Sequence, residues 1–178
     1  RVVASLRYDL FHYRFNNSLT PSAFSGSPDT ANRFTRFSPK IGATYNFSAS
    51  TGLYANYSEG FVPPQVTELY TGVKVPFLAP SVFCNFEVGG WAKLLQGKIS
   101  VDASIYHLKG TNEIVSVKLD DGSFANQNAG RTDHKGIELG IQAAPVNSLS
   151  LRISGAYSQH KFVAFVEKGI SYNGKQMN

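Results

Sequence analysis

Apolar and polar residues alternate along most of this chain with a period of two, in eight runs separated by turns and polar loops. The cleanest run sets Ile99, Val101, Ala103 and Ile105 against Ser100, Asp102, Ser104 and Tyr106. A period of two predicts a β-strand with one dry face. The pattern recurs as Ile41/Ala43/Tyr45/Phe47 against Gly42/Thr44/Asn46, and as Leu53/Ala55/Tyr57 against Tyr54/Asn56/Ser58. It returns as Phe86/Val88/Gly90/Ala92, as Ile137/Leu139/Ile141/Ala143 and as Leu149/Leu151/Ile153, each against a polar set. Glu87, Asp102, Glu138 and Arg152 all fall on the polar side. The predicted fold class is all-β and antiparallel.

Alternation alone does not separate a soluble β-sandwich from a membrane barrel; the connections do more. Long segments near Phe15 to Arg33, Phe61 to Ser81 and after Phe162, with a medium one around Asp120 to Asn126, alternate with short ones at Ser48 to Ser50, Leu95 to Gly97 and Pro145 to Ser148. Outer-membrane barrels have short periplasmic turns and long external loops, although some binding sandwiches also gather their loops at one end. Aromatic residues near the predicted strand ends suit interfacial girdles: Tyr8, Phe11, Tyr13, Phe34, Phe37, Tyr45, Phe47, Phe61, Phe83, Phe162 and Phe165. The expected architecture is an antiparallel transmembrane β-barrel, present as a partial barrel of about seven to eight strands.

At 178 residues with no composition break, the chain reads as one unit over residues 1–178. It has no run of the ~20 apolar residues a spanning helix needs, a test that barrels escape because only alternate residues face lipid. Cys84 stands alone, so no internal disulfide forms; with Phe86 and Val88 it would face lipid. Arg1 opens directly into strand-like sequence and Gly174 to Asn178 reads as loop, so an internal segment of a longer protein is expected. The net charge of +5 is spread over Arg1, Arg7, Arg14, Arg33, Arg36, Lys40, Lys74, Lys93, Lys98 and later residues without a basic run, which argues against nucleic acid as a partner.

Positive signs of catalysis are lacking. The histidines at 12, 107, 134 and 160 are far apart in sequence, none with a second His or Cys at ligand spacing. Nucleophile-elbow, phosphate-loop and dinucleotide patterns do not occur. Glu87 and Asp102 could meet across strands as a glycosidase-type pair, but barrel carboxylates more simply pair with arginines such as Arg152 and with water. The expectation is a protein that is not an enzyme and carries no metal or cofactor of its own.

Four phrases, in order, resemble the barrel of the TonB-dependent outer-membrane receptors. They are Phe37-Ser38-Pro39-Lys40-Ile41-Gly42; Leu53 through Glu59-Gly60-Phe61-Val62-Pro63-Pro64; Leu78-Ala79-Pro80 leading to Asn85-Phe86-Glu87-Val88-Gly89; and Asn128-Ala129-Gly130 leading to Lys135-Gly136-Ile137-Glu138-Leu139. The resemblance covers nearly the whole chain. It implies a barrel of about 22 strands around a separate N-terminal plug, of which this chain would supply seven or eight. It further implies import of a bulky, scarce nutrient across the outer membrane, a ferric siderophore first, driven by the TonB energy-transducing protein through an N-terminal region outside this chain. Outer-membrane lipid would surround it. Val62, where haem importers of this type carry Arg, and the lack of a His between Phe61 and Asn85 place haem lower. Arg33, Arg36, Tyr54, Tyr70, Phe77 and Arg131 are the candidate cargo contacts, since aromatics and guanidinium groups suit a large anionic chelate. A passive porin, a barrel-enzyme fragment and a carbohydrate-binding sandwich remain the alternatives, and a sandwich would be soluble without detergent.

Overall fold

The structure, a computed structural model, describes residues 1–20, 29–70, 76–120, 122, 124–146, 148–167 and 169–177. Parts of the expected connections at 15–33, 61–81, 120–126 and 145–148 lie outside the described residues.

Seven long strands form one antiparallel sheet: β1 (Val2–Phe15), β2 (Thr30–Asn46), β3 (Thr51–Val62), β4 (Ser81–Leu94), β5 (Ile99–Thr111), β8 (Arg131–Val146) and β9 (Leu149–Ala164). They pair in the order β1-β2-β3-β4-β5-β8-β9. Between β5 and β8 the chain leaves the sheet to make a separate hairpin, β6 (Ile114–Lys118) with β7 (Phe124–Asn128). A short helix, α1 (Val66–Tyr70), follows β3, and a two-stranded ribbon, β10 (Val166–Glu167) with β11 (Ile170–Ser171), follows β9. The main sheet is therefore a meander in which every short connection lies at one end and every excursion at the other.

Register keeps the two faces apart. Ile41 pairs with Tyr57, Tyr57 with Phe86, Val88 with Ile105, Ile105 with Ile137 and Ile137 with Tyr157, so the apolar positions of adjacent strands lie side by side. Cys84, opposite Lys109, has the same parity as Phe86 and Val88, as expected. Ile41 is 51%, Ile105 60% and Ile153 70% exposed. A sandwich would bury such a row against a second sheet; a barrel turns it toward lipid.

The aromatic reading needs correcting at several positions. Tyr45 and Phe47, ring centroids 5.1 Å apart, sit on the apolar side at the short-turn end. Tyr8 with Phe37, and Tyr57 with Phe86, sit on that side toward the other end. Eight tilted residues from Tyr45 to Phe37 separate these levels by roughly 20 Å, close to a barrel's apolar band. Phe11, Tyr13 and Phe34 have the opposite parity, and Phe61 and Phe165 are buried among loop contacts. Proximity to a strand end does not fix a side chain's face, because one residue reverses it.

Two turns show how the ends are made. The Leu95–Gly97 connection holds three consecutive positive φ angles, 50° at Leu95, 58° at Gln96 and 90° at Gly97. Only Gly97 adopts this without a Cβ penalty, which accounts for the glycine in the turn. At the opposite end Val117, Ala129 and Phe165 form a small core with Val115, Phe162 and Tyr172, so the β6–β7 hairpin and the segment after β9 pack together.

Candidate ligand-binding site

The polar face carries a row of large side chains laid across glycines of the neighbouring strand. Tyr54 on β3 pairs with Gly89 on β4, and a Cβ on Gly89 would sit 2.5 Å from the tyrosine Cζ and Oη. Tyr106 lies in the same way over Gly136, where a Cβ would be 2.5 Å from Cε1. The missing side chains let the rings lie flat against the wall and free their hydroxyls to reach sideways. Tyr54 Oη donates to Glu87 Oε1 at 2.6 Å. Asp102, Glu138 and Arg152 line a shallow pocket further around the wall, but among the described residues no ion pair joins Arg152 to either carboxylate. The expected carboxylate–arginine pairing is therefore not made there. Glu87 is instead held by a tyrosine, and it is paired in the ladder with Tyr106, whereas Asp102 is paired with Trp91.

Above this level the clean division into two faces ends. The β2–β3 ladder stops at Lys40–Ser58. Glu59 and Phe61 have the parity of the apolar Tyr57, yet they meet residues of the polar face of β1 and β2. Arg36 Nη2 is 2.5 Å from Glu59 Oε2, Tyr57 Oη donates to Glu59 Oε1 at 2.7 Å, and Phe61 lies 6.0 Å from Phe11 between ring centroids. Among the described residues, Arg36 Nε and Ser38 Oγ are buried and find no hydrogen-bond partner. Tyr70 on α1 stacks on Phe15 at 4.7 Å and 4°, and Asn32 Nδ2 donates to its Oη at 2.7 Å.

The phrases that carried the family resemblance hold the outer end together. The Asn128 carboxamide clasps the Ala79 peptide as another strand would. Ala79 N–H donates to Asn128 Oδ1 at 2.8 Å, and Asn128 Nδ2 donates to Ala79 O at 2.9 Å and to Asn112 O at 2.7 Å. Ala129 is completely buried. A Cβ on Gly130 would run into the Ala164 carbonyl, so the returning chain needs that glycine.

Of the six nominated contacts, the structure sets Arg36 and Tyr54 on the polar face and Tyr70 over its upper part. Phe77 is 99% exposed in the segment before β4. Arg33 and Arg131 do not join them: Arg33 shares parity with Thr35 and Phe37, and Arg131 with Asp133 and Lys135, on the outward side. The period of two that sorts the lumen sends them away from it.

The sequence reading missed one cluster. His134 and His160 are cross-strand partners, with Nδ1 atoms 2.7 Å apart. His134 Nε2 is 2.8 Å from Glu113 Oε1, Thr132 donates to the same oxygen, and His160 Nε2 is 3.0 Å from Ser158 Oγ. One nitrogen of the close pair must carry the proton and the other accept it, so the pair is ordered through Glu113. Among the described residues, no group of three or more His, Cys, Asp or Glu side chains is arranged to hold a metal ion.

The family model described as TonB dependent receptor-like, beta-barrel, matches residues 1–178. The metal-pseudopaline receptor CntO of Pseudomonas aeruginosa (strain UCBPP-PA14) is 25% identical over 180 residues, spanning 100% of this chain and 24% of that protein. Among solved structures, the copper transporter OprC superposes with a TM-score of 0.74 at 19% identity, over 92% of this chain and 26% of that one. The alcaligin outer-membrane receptor FauA from Bordetella pertussis does so at 0.66 and 18%, over 99% of this chain and 28% of that one. These superpositions show a shared fold, and the chain spans about a quarter of the length of each relative. The lipid-type outer face, the polar wall and the full-length family match lead to one assignment: this chain belongs to the β-barrel of the TonB-dependent receptors, proteins of the Gram-negative outer membrane.

Proposed function

We propose that the protein to which this barrel segment belongs actively imports a chelated metal, a ferric siderophore in the first instance, powered by the TonB system through an N-terminal region. The observation that carries the reading is the polar wall: the Tyr54–Glu87 pair and the Arg36 guanidinium sit below the aromatic Tyr70, and Phe77 is open to solvent. A bulky anionic chelate needs such a mixture of fixed hydrogen-bond groups, a cation and flat apolar surface. Likeness to a receptor for metal–pseudopaline supports a metal complex as cargo and widens the metals to be tried beyond iron. Arg36, Tyr54, Tyr70 and Phe77 are the proposed contacts within this segment, and transport requires no bond-making step from them.

The test is uptake of labelled metal chelates by cells carrying or lacking the full-length gene. Iron, zinc, nickel and copper are each supplied with hydroxamate, catecholate and carboxylate chelators. Saturable uptake that needs both the gene and the inner-membrane proton gradient is expected for at least one chelate. Uptake that persists when the gradient is collapsed would indicate a passive pore instead.

A further inference from the structure

Arg36 meets its carboxylate partner with only half of the edge it offers. The Nε–H and Nη2 groups of a guanidinium form one side, which grips a carboxylate through two parallel N–H···O bonds. Here Glu59 Oε2 takes Nη2 at 2.5 Å, while Glu59 Oε1 is held by the Tyr57 hydroxyl at 2.7 Å. Among the described residues, Arg36 Nε finds no acceptor. Ser38, two positions along the same face of β2 and 1% exposed, has a hydroxyl equally without a partner. The other carboxylate nearby does not fill the place: Asp9 is paired with Arg36 in the ladder, but its Oδ2 accepts from Arg7 Nε at 2.8 Å. Two adjacent buried donors left unmet are costly and call for an acceptor. They lie where the β2–β3 ladder has just stopped, and the Arg36 side chain is 31% exposed, so a group entering from the lumen can reach it once Glu59 yields.

We propose that Glu59 is an internal stand-in for a carboxylate of the cargo, and that the receptor selects metal chelates carrying a carboxylate not bound to the metal. The inference rests on the metal-chelate import reading above. The entering carboxylate takes Nε and Nη2 together and accepts from Ser38 Oγ, while Glu59 keeps its bond to Tyr57 and gives up Arg36. Tyr57 is a positioning residue: by occupying Oε1 it prevents Glu59 from closing the fork itself. Exchange of one carboxylate for another also keeps the guanidinium balanced throughout, whereas a neutral cargo would leave a half-buried charge bare. The planar fork, rather than positive charge alone, carries the selection.

The experiment is isothermal titration of the full-length receptor in detergent with two ferric trihydroxamates that differ only in a pendant group, a succinyl carboxylate or a neutral acetyl. A third probe is the nickel(II) complex of diethylenetriaminepentaacetate, which keeps free carboxylates. The wild type is expected to prefer the acid-bearing probes. Glu59→Gln removes the competitor and should tighten their binding about tenfold, without tightening that of the acetyl probe. Tyr57→Phe frees Glu59 to grip Arg36 with both oxygens and should weaken acid binding about fivefold. Arg36→Lys keeps the charge but not the fork, and should lose the preference for the acid. The folded-barrel gel shift on heating checks that each variant is assembled, and Glu59→Gln and Tyr57→Phe, whose expected effects have opposite signs, each supply a readout if the other does not fold. Unaltered or weaker acid binding in Glu59→Gln, an equal change for the acid and acetyl probes, or a preference that survives Arg36→Lys would overturn the proposal. Import of a chelate without a free carboxylate, with no acid-bearing probe bound, would overturn it while leaving the import reading in place. A receptor that neither binds nor imports any chelate would remove both.

Discussion

Asn128 shows how much one side chain can do at the outer end. Its carboxamide satisfies the N–H and C=O of Ala79 and a second carbonyl at Asn112, so it joins two excursions that are distant in sequence. Asn128→Ala leaves those groups without partners in a half-buried place, at a cost of about 1–3 kcal/mol. Asn128→Asp should cost more, because a carboxylate would face two carbonyl oxygens. Limited proteolysis of the folded receptor tests this: cleavage before β4 should speed up in both variants, and an unchanged cutting rate would rule out the clasp. Gly89 offers a second test. Gly89→Ala should destabilise the barrel by about 1–3 kcal/mol through overpacking against Tyr54. Adding Tyr54→Ser should recover most of that loss in a denaturant titration, whereas simple additivity would mean that the ring does not lean on the glycine.

Residue-level detail was partly legible in the sequence. Glycines opposite large polar-face residues could be counted once a register was assumed. The His134–His160 pair could not. Counting back from the tight Val146–Leu149 pair puts His134 opposite Lys161, and an irregularity between Ala143 and Val146 shifts the register by one, bringing His160 into line. A bulge leaves no dependable mark on an alternating run.

At the scale of elements, the alternation located the sheet's strands because each has one apolar and one polar face. The order of long and short connections also gave the ends correctly. The Ile114–Lys118 run alternates like the others but pairs with Phe124–Asn128 outside the sheet, since a short local hairpin competes with the long ladder. The upper part of β3 defeated the pattern for a different reason: where β2 and β3 part, parity no longer tells which neighbour a side chain meets. Depth on the outward face gives an element-scale prediction. Leu139 lies in the second of four apolar rows, while His107 lies just above them. Leu139→Arg should reduce folding stability in lipid vesicles by about 2–4 kcal/mol, and His107→Arg by about 0–1 kcal/mol. Equal costs at the two positions would contradict the assignment of this face to lipid.

For the whole molecule, the decisive quantity is what the isolated chain leaves uncovered. Among the described residues the sheet begins at β1 and finishes at β9; residues 174–177 pair along the upper part of β9 through the Lys161–Gln176 bridge, and the rest of both outer edges has no strand partner. Its apolar face exposes Leu6, Ile41, Val88, Ile105, Ile137 and Ile153, all at about half or more of their surface. Water opposes that exposure, and open strand edges template pairing with other copies. The small core under the β6–β7 hairpin is far too limited to compensate. The segment expressed alone should therefore aggregate in plain buffer and become dispersed only in detergent, whereas a closed parent barrel in detergent should remain monodisperse. Light scattering and sedimentation of both proteins make the comparison. A cooperatively melting monomer of the segment in detergent-free buffer would mean that the apolar face finds cover within the chain, and the reading of that face as the lipid wall of a larger barrel would fail.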